Sequence, residues 1–526
     1  MNKIPFALGT AAGTAVAPID ASATTGSTSG GASVFAGLVI ARKGKPNKVL
    51  KITQNNVKSV LGEAPRPQEG QFFEPLRHVN QALAGGDGYV VRIPLPGMLI
   101  PAINLTVETA GTPAVTTVKA TTSTSAFGAD ITLPAKAALT FFVEDGDKST
   151  NRKLSFEPVK TKPGLFSLKL VATDSLGAET TLENYDVSLN SDVLDDMGLS
   201  AYIPDVLERN DSRLRVLISD TLALPASFTG ITGQAFVGGS DGDFKKLTSK
   251  DYAASIAVLD GSLVEYTAIL SLGIYDATAI GKLAELAKAV RVDMFADVDP
   301  RLAADKALEQ LTGLGLGGNE NVTAYYFPFS CRDPLSQSNV VFGLSGDAFT
   351  AKAKGVALVP DVGGWHYSPA GVSRGVVNRQ NIQPLPAAAN IDREVFAKAH
   401  LNVVTSVNGA IVIDDALTTC VENNYKQYQH VISVMNSIAR DYYSLAAALK
   451  HEPDGLTREG LEKGIPRLLD RYVAAEALVK PRDVSQGEAP YIVTVTNTSF
   501  DSWEVRWEVC VTGVSRRIVG VPVLMR

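Results

Sequence analysis

The chain has 526 residues, 45% of them hydrophobic and 20% charged, with a net charge of −6. That length outgrows a single hydrophobic core and calls for about two to four domains or subdomains. The acidic balance argues against a nucleic-acid binder, which needs a basic field, and the absence of any apolar run of about eighteen residues argues against a membrane-spanning helix.

The N-terminal stretch MNKIPFALGTAAGTAVAP has the lone lysine and small residues of a signal peptide, but glycine and threonine interrupt its apolar run. It reads as a terminal arm, followed by a Gly/Ser/Thr linker from Ala23 to Ser33. SVFAGLVIARKGKP clusters apolar residues as a buried strand does and stops at a turn. In FFEPLRHVNQAL, Leu76, Val79 and Leu83 recur at helical spacing before AGGDG turns the chain into a strand over Tyr89 to Ile93. Strand, helix, strand is the signature of α/β packing.

From Leu99 to Asp192 the composition shifts to Thr, Val, Ala and Lys in short alternating runs: INLTVETA, DITLPA, LTFFVEDG, KLSFEP and FSLKLVAT. Such runs with turn residues between them predict an inserted β domain at the surface. Beyond Asp192 the α/β alternation is expected to resume, with RVLISD, YTAILSLG, VRVDMFADV, VTAYYFPFSC and KGVALVPD as strands. YAASIAVLD, ATAIGKLAELAKAV and LAADKALEQLTGLG are the helices between them. Val431, Val434, Ile438, Tyr442, Leu445 and Leu449 trace the apolar stripe of a further helix. LTREGLEKGIPRLLDRYVAAEALV predicts another, restarting at Pro466 as a first-turn proline. The chain closes with YIVTVTN, then WEVRWEVCV with Trp503, Val505, Trp507, Val509 and Val511 on one face, then the apolar RRIVGVPVLMR.

Catalytic patterns are sparse. Gly371-Val-Ser373-Arg-Gly375 satisfies the nucleophile-elbow pattern, but an elbow needs a buried strand leading in and a helix leading out. HYSPA precedes it, with Pro369 unable to join a sheet ladder, and VVNRQNIQPLP follows. A structural loop is expected, with a serine hydrolase acting through Ser373 as the alternative of another class. Gly313-Leu-Gly-Leu-Gly-Gly318 fits G-x-G-x-x-G but follows a helix, where a dinucleotide fingerprint follows a strand. His78, His366, His400, His430 and His451 lack metal-ligand spacing, and His430 lies beside an apolar stripe as a packed core histidine would. The pairs Asp195-Asp196 and Asp414-Asp415 read as solvated turn acids. Cys331, Cys420 and Cys510 are odd in number and far apart, which fits neither a disulfide framework nor a zinc cluster and suits a reducing compartment. No cofactor, metal or enzymatic activity is expected.

Four segments, in order, resemble the contractile tail sheath proteins of myovirus-type bacteriophages. FAGLVIARKGKPNKVLKITQNNVKSVLG is similar to the family's opening strand and Gly-x-Pro turn, and FFEPLRHVNQALAGGDGYVVRI to its helix ending in Gly-Gly before a Tyr-Val-Val-Arg strand. FVGGSDGDFKKLTSKDYAASIAVLD is similar to its Gly-Gly-x-Asp-Gly segment, and VALVPDVGGWHYSPAGVSRG to its Ser-Pro-Ala-Gly loop, in which Ser368 to Gly371 is architectural. The usual Asn-Pro-Ile-Arg stretch is replaced by NVVTSVNGAIVIDDALTT, and the insertion at Leu99 to Asp192 has no counterpart.

The resemblance implies a mixed α/β, multidomain chain. Its expected divisions are an arm and linker (1–35), a sheath-type α/β core (36–98 plus 193–375), a β-rich outer insertion (99–192) and an α+β C-terminal domain (376–526). It implies stacked hexameric rings of this chain around a tail tube, contracting without nucleotide hydrolysis. The partners it implies are the tail tube, baseplate and tail terminator proteins, with no nucleic acid and no membrane insertion. The places it implies are the virion tail and, during assembly, the host cytoplasm. Secretion-system and tailocin-type sheaths share that resemblance. Terminal strands that pair with a neighbour's sheet would keep such a lattice joined while subunits rotate. Arg516 to Arg526 is the expected strand, with Ile518, Val519, Val521, Val523 and Leu524 as its apolar residues and WEVRWEVCV as the acceptor. Arg467 and Arg471, one turn apart, are the candidate tube contacts, against a solvated face balanced by Asp470.

Overall fold

A computed structural model describes residues 33–62, 74–110, 115–145, 151–173, 177–333 and 335–517. The N-terminal arm, nearly all of its linker, and Ile518, Val519, Val521, Val523 and Leu524 lie outside the described residues.

The core is built on strands β1 (Phe35–Val39), β2 (Val49–Ile52), β3 (Gly88–Arg92), β4 (Ala268–Leu270), β5 (Asp293–Asp297), β6 (Val322–Tyr325) and β7 (Leu401–Asn402). They form one sheet in the order β7-β6-β5-β4-β1-β3-β2, parallel throughout except where β2 runs antiparallel to β3. All five residues of β1 are buried, as expected of a continuous apolar run in a sheet covered on both sides. Its alternation divides the core. Ala36 and Leu38 face helices α2 (Ser249–Asp260) and α3 (Ala277–Val290), whereas Phe35 and Val39 face α1 (Glu74–Ala82) and α5 (Ser345–Val356). A Cβ on Gly88 would lie 2.3 Å from the Phe35 ring, so the glycine lets that ring lie flat on its neighbour strand. Helix α4 (Ala304–Gly313) buries Ala304, Ala307 and Leu311 in a satellite cluster with Tyr326 and Phe396.

The insertion is a β-sandwich of two antiparallel four-stranded sheets. One runs 214–218, 137–143, 99–110, 115–126, and the other 231–235, 151–158, 165–173, 179–188. Phe141, Phe156 and Phe166 stack through its middle, with centroids 5.3 and 4.6 Å apart. RVLISD is a strand, but it pairs with Ala137–Val143 of the sandwich and does not resume the parallel core. The alternation of a short run does not specify which sheet it joins. DITLPA forms no strand: its residues are mostly exposed, and Pro134 closes a turn by accepting from Ala137 N–H at 2.8 Å.

Lys354 to Val356, expected to open a strand, ends α5, whose residues Ala348, Phe349, Ala351, Ala353 and Val356 are all buried against the core. Helices α6 (Gln429–Leu449) and α7 (Asp454–Ala474) pack as a pair, and α7 continues through Pro466 without restarting. Leu461, Ile465, Leu469 and Tyr472 form one buried stripe spanning the proline, and burial of that stripe offsets the lost backbone hydrogen bond. The hairpin β8 (Tyr491–Ser499) and β9 (Ser502–Val509) lays Val493, Val495, Trp503, Val505, Trp507 and Val509 on these helices. That is the face the alternation predicts.

Candidate functional site

Ser373 sits exposed in a turn in which Gly375 N–H donates to Gly371 O at 2.7 Å, with neither a strand before it nor a helix after it. Among the described residues its hydroxyl makes no hydrogen bond to a histidine or carboxylate. What the loop does is visible beside it. Buried Lys352 donates to Trp365 O (2.5 Å) and Tyr367 O (3.1 Å), pinning the GGWHY segment to α5. Arg374 donates to Ser368 O at 3.0 Å and lies 4.8 Å from the Tyr367 ring centroid. Burial pushes the Lys352 ammonium down to about 8 despite buried Asp293 nearby, and pushes His366 down to about 4. The segment is an architectural clamp.

The hydrogen-bond order of a serine triad does occur, elsewhere. Ser345 Oγ is 3.0 Å from His78 Nδ1, and His78 Nε2 is 3.3 Å from Glu74 Oε1. All three residues are essentially sealed from solvent, so no substrate reaches the hydroxyl. The chain of contacts instead ties α1 to the carboxyl ends of the strands. Asp297 at the end of β5 accepts from the Leu344 and Ser345 N–H groups at 2.6 and 2.9 Å, capping α5 where the helix dipole favours negative charge. Burial alone would raise the Glu74 carboxyl. Donation from His78 and the charge of Arg301, whose Nη2 lies 2.6 Å away, outweigh it and hold the group below its usual range. No local signal marks this set, since Ser345 and His78 are 267 residues apart. No group of three or more His, Cys, Asp or Glu side chains among the described residues is arranged to hold a metal ion.

Arg467 and Arg471 are both exposed on α7. Arg471 grips Asp361, in the segment after α5, through two hydrogen bonds of 3.0 and 2.8 Å, which holds the Asp361 carboxyl below its usual range. Asp470, the expected counter-charge, accepts instead from the Tyr491 hydroxyl at 2.6 Å. Arg516 is fixed to its own chain by a fork on Asp415 and lies 5.6 Å from the Tyr428 ring centroid. The described chain ends one residue later. Hairpin β8–β9 is a two-stranded sheet with no further strand on either side among the described residues, and just past β9 the backbone of Cys510 and Thr512 bonds to Val479 and Ala477.

The sequence matches no family model and no curated protein. Among solved structures, the sheath tail protein of Listeria innocua is 11% identical over 92% of this chain and 96% of its own, with a TM-score of 0.50. The fold is that of a sheath tail protein. A sheath tail protein from Desulfitobacterium hafniense is 15% identical over 91% of this chain and 97% of its own, with a TM-score of 0.48. A chain of the contracted sheath complex of an extracellular contractile injection system is 14% identical over 50% of this chain and 72% of its own, with a TM-score of 0.40.

Proposed function

We propose that this chain is a structural subunit of a contractile phage tail sheath, polymerising as stacked hexameric rings around the tail tube and contracting to drive the tube through a bacterial envelope. The observation that carries the proposal is the shared fold with the Listeria innocua sheath tail protein over 92% of this chain. Tail tube, baseplate and tail terminator proteins are its partners, and the virion tail its place. Work of this kind needs two packings of one subunit separated by a barrier, which a lattice supplies without a reactive site. Negative-stain images of the purified protein test it: long hollow cylinders or stacked rings are expected, and dispersed monomers at high concentration reject it.

The open-edged hairpin is suited to accept a strand. A two-stranded sheet is marginal on its own, and each added strand satisfies a row of free backbone groups. We assign Ile518, Val519, Val521, Val523 and Leu524 to a neighbour's hairpin, leaving Arg516 as the cis anchor at the root of the strand. Deleting the last ten residues is then expected to abolish sheath formation while leaving the monomer folded. Normal contractile sheaths from the truncated chain, seen by electron microscopy, would reject the assignment.

Arg467 and Arg471 remain our candidate tube contacts. Reversing both charges is expected to leave the monomer folded, since the Asp361 pair is exposed. Co-assembly on tubes, read by pelleting, is expected to be lost. Intact co-assembly would remove these residues from the contact.

A further inference from the structure

The inserted sandwich is attached to the core in an unusual way. Its core of Ile103, Leu105, Phe141, Phe156, Leu168 and Leu214 shares no member with the two apolar clusters that flank the central sheet. The chain enters and leaves it through one paired neck. Leu99 and Ser240 exchange backbone hydrogen bonds of 3.0 and 3.1 Å, and Asp243 N–H donates to Pro96 O at 2.8 Å. Buried Arg92 holds the root of the neck, donating to Gly44 O (2.7 Å) and lying 3.4 Å from Asp241.

Away from the neck, ionic and polar contacts join the two bodies. Lys45 and Lys48 of the core converge on Asp211 of the insertion at 2.6 and 2.5 Å, and Lys45 also lies 3.3 Å from Glu144. Arg213 of the insertion donates to Ser59 O at 2.9 Å. Within the insertion Arg215 faces Glu144 at 3.3 Å and Glu208 at 3.4 Å, so the anions of the cluster are shared between the two sides. Beside the cluster an open cleft of about 370 Å³ separates the bodies, with Asn47 on the core side and Ile100, Phe127, Ile131 and Phe142 on the insertion side. The side chains of Asp211 and Lys48 are 59% and 45% exposed, so dissolved ions reach them freely.

We propose that the inserted sandwich turns as a rigid body on the neck formed by residues 93–98 and 236–243, and that the Lys45, Lys48, Asp211 and Glu144 cluster is a salt-sensitive latch holding it against the core. An interface without a shared apolar core is the kind across which domain motion is the default. The Lys48 and Asp211 side of the cluster is open to solvent while the Lys45 side chain is 10% exposed, so the cluster favours one orientation and loses part of that preference as salt screens its open side. The cleft gives the sandwich room to move. The inference concerns one molecule and does not depend on how copies assemble.

The test uses the full chain at nanomolar concentration, with Cys510→Ser to remove the one native thiol that is not buried. Dyes are placed on Leu263→Cys in the core and Met197→Cys in the insertion, both almost fully exposed and so tolerant of replacement. Single-molecule energy transfer is expected to show one dominant population at about 0.05 M NaCl and about a fivefold gain of a second at about 1 M. Asp211→Asn with Glu144→Gln, and separately Lys45→Met with Lys48→Met, are expected to show the second population already at low salt. Lys306→Met, which breaks an exposed ion pair on α4, is expected to leave the distribution unchanged. Unchanged circular dichroism shows that each variant folds. A single population insensitive to salt overturns the hinge. A salt response that persists in either latch variant, or a second population that Lys306→Met also shows at low salt, overturns the latch.

Discussion

Replacing Arg379 with alanine is expected to cost roughly 3–5 kcal/mol of folding stability, the range for removing one member of a buried ion pair. The Arg379 side chain is 1% exposed and pairs with Asp347, which is nearly as buried, in the first turn of α5. Its guanidinium also donates to Phe342 O (3.1 Å) and Gly343 O (2.5 Å) and lies 3.6 Å from the Phe342 ring centroid. Truncation would leave a buried carboxylate and two carbonyls without a donor, and that desolvation dominates the effect. Lysine keeps the charge but has no planar fork, so Arg379→Lys is expected to recover less than half of the loss. Arg379→Met combined with Asp347→Asn is expected to be milder than Arg379→Ala alone, because no buried charge is stranded. Urea denaturation of the three variants decides it. An alanine variant within 1 kcal/mol of wild type would mean that water enters the site and the pair is not buried in solution.

Arg379 also shows what the sequence hides. It lies 32 residues from Asp347, outside any periodic segment, and its role exists only after the sheet 329–332, 339–341, 380–384 has formed. Elements with strong local pattern were legible: α3 runs over Ala277–Val290 just as ATAIGKLAELAKAV suggests, and β1 as its apolar run suggests. Where partner choice matters, local pattern fails. Leu214–Ile218 alternates like a core strand yet joins the insertion, and the Thr-rich strand Val115–Ala126 carries too little apolar signal to be noticed. Pro466 misled because a proline penalty is local, whereas the buried stripe that outweighs it spans several turns. The Ser345–His78–Glu74 set was invisible for the same reason as Arg379. The pattern at Ser373 was visible and has no such partners, so motif and geometry point to different serines.

Between pH 6.5 and 5 the chain is expected to lose stability, and the loss is expected to come chiefly from two histidines. His366 and His430 are buried, and burial, reinforced by the charge of Lys352, pushes them down to about 4 and about 3. His366 Nδ1 has no hydrogen-bond partner, so that atom has nothing to hold an added proton in place. A histidine whose folded pKa is depressed stays neutral in the fold while the unfolded chain takes up a proton near pH 6.5. Its contribution is therefore complete above that pH and falls away as the solution is acidified toward the folded value. Over this window the two together forfeit on the order of 3 kcal/mol. Asp441 works in the opposite direction. Burial between α6 and α7 raises it to about 6 even though the Tyr472 hydroxyl donates to it. The fold binds that proton before the unfolded chain does, which returns about 1 kcal/mol on acidification. Carboxylates held below their usual range are mostly ionised in both states at pH 5 and contribute little. Hence wild type is expected to weaken from pH 6.5 to 5, while His366→Gln with His430→Gln is expected to hold level or strengthen slightly, because the Asp441 contribution is left unopposed. Urea midpoints at the two pH values measure both slopes, and equal slopes in the two proteins would place the acid sensitivity elsewhere.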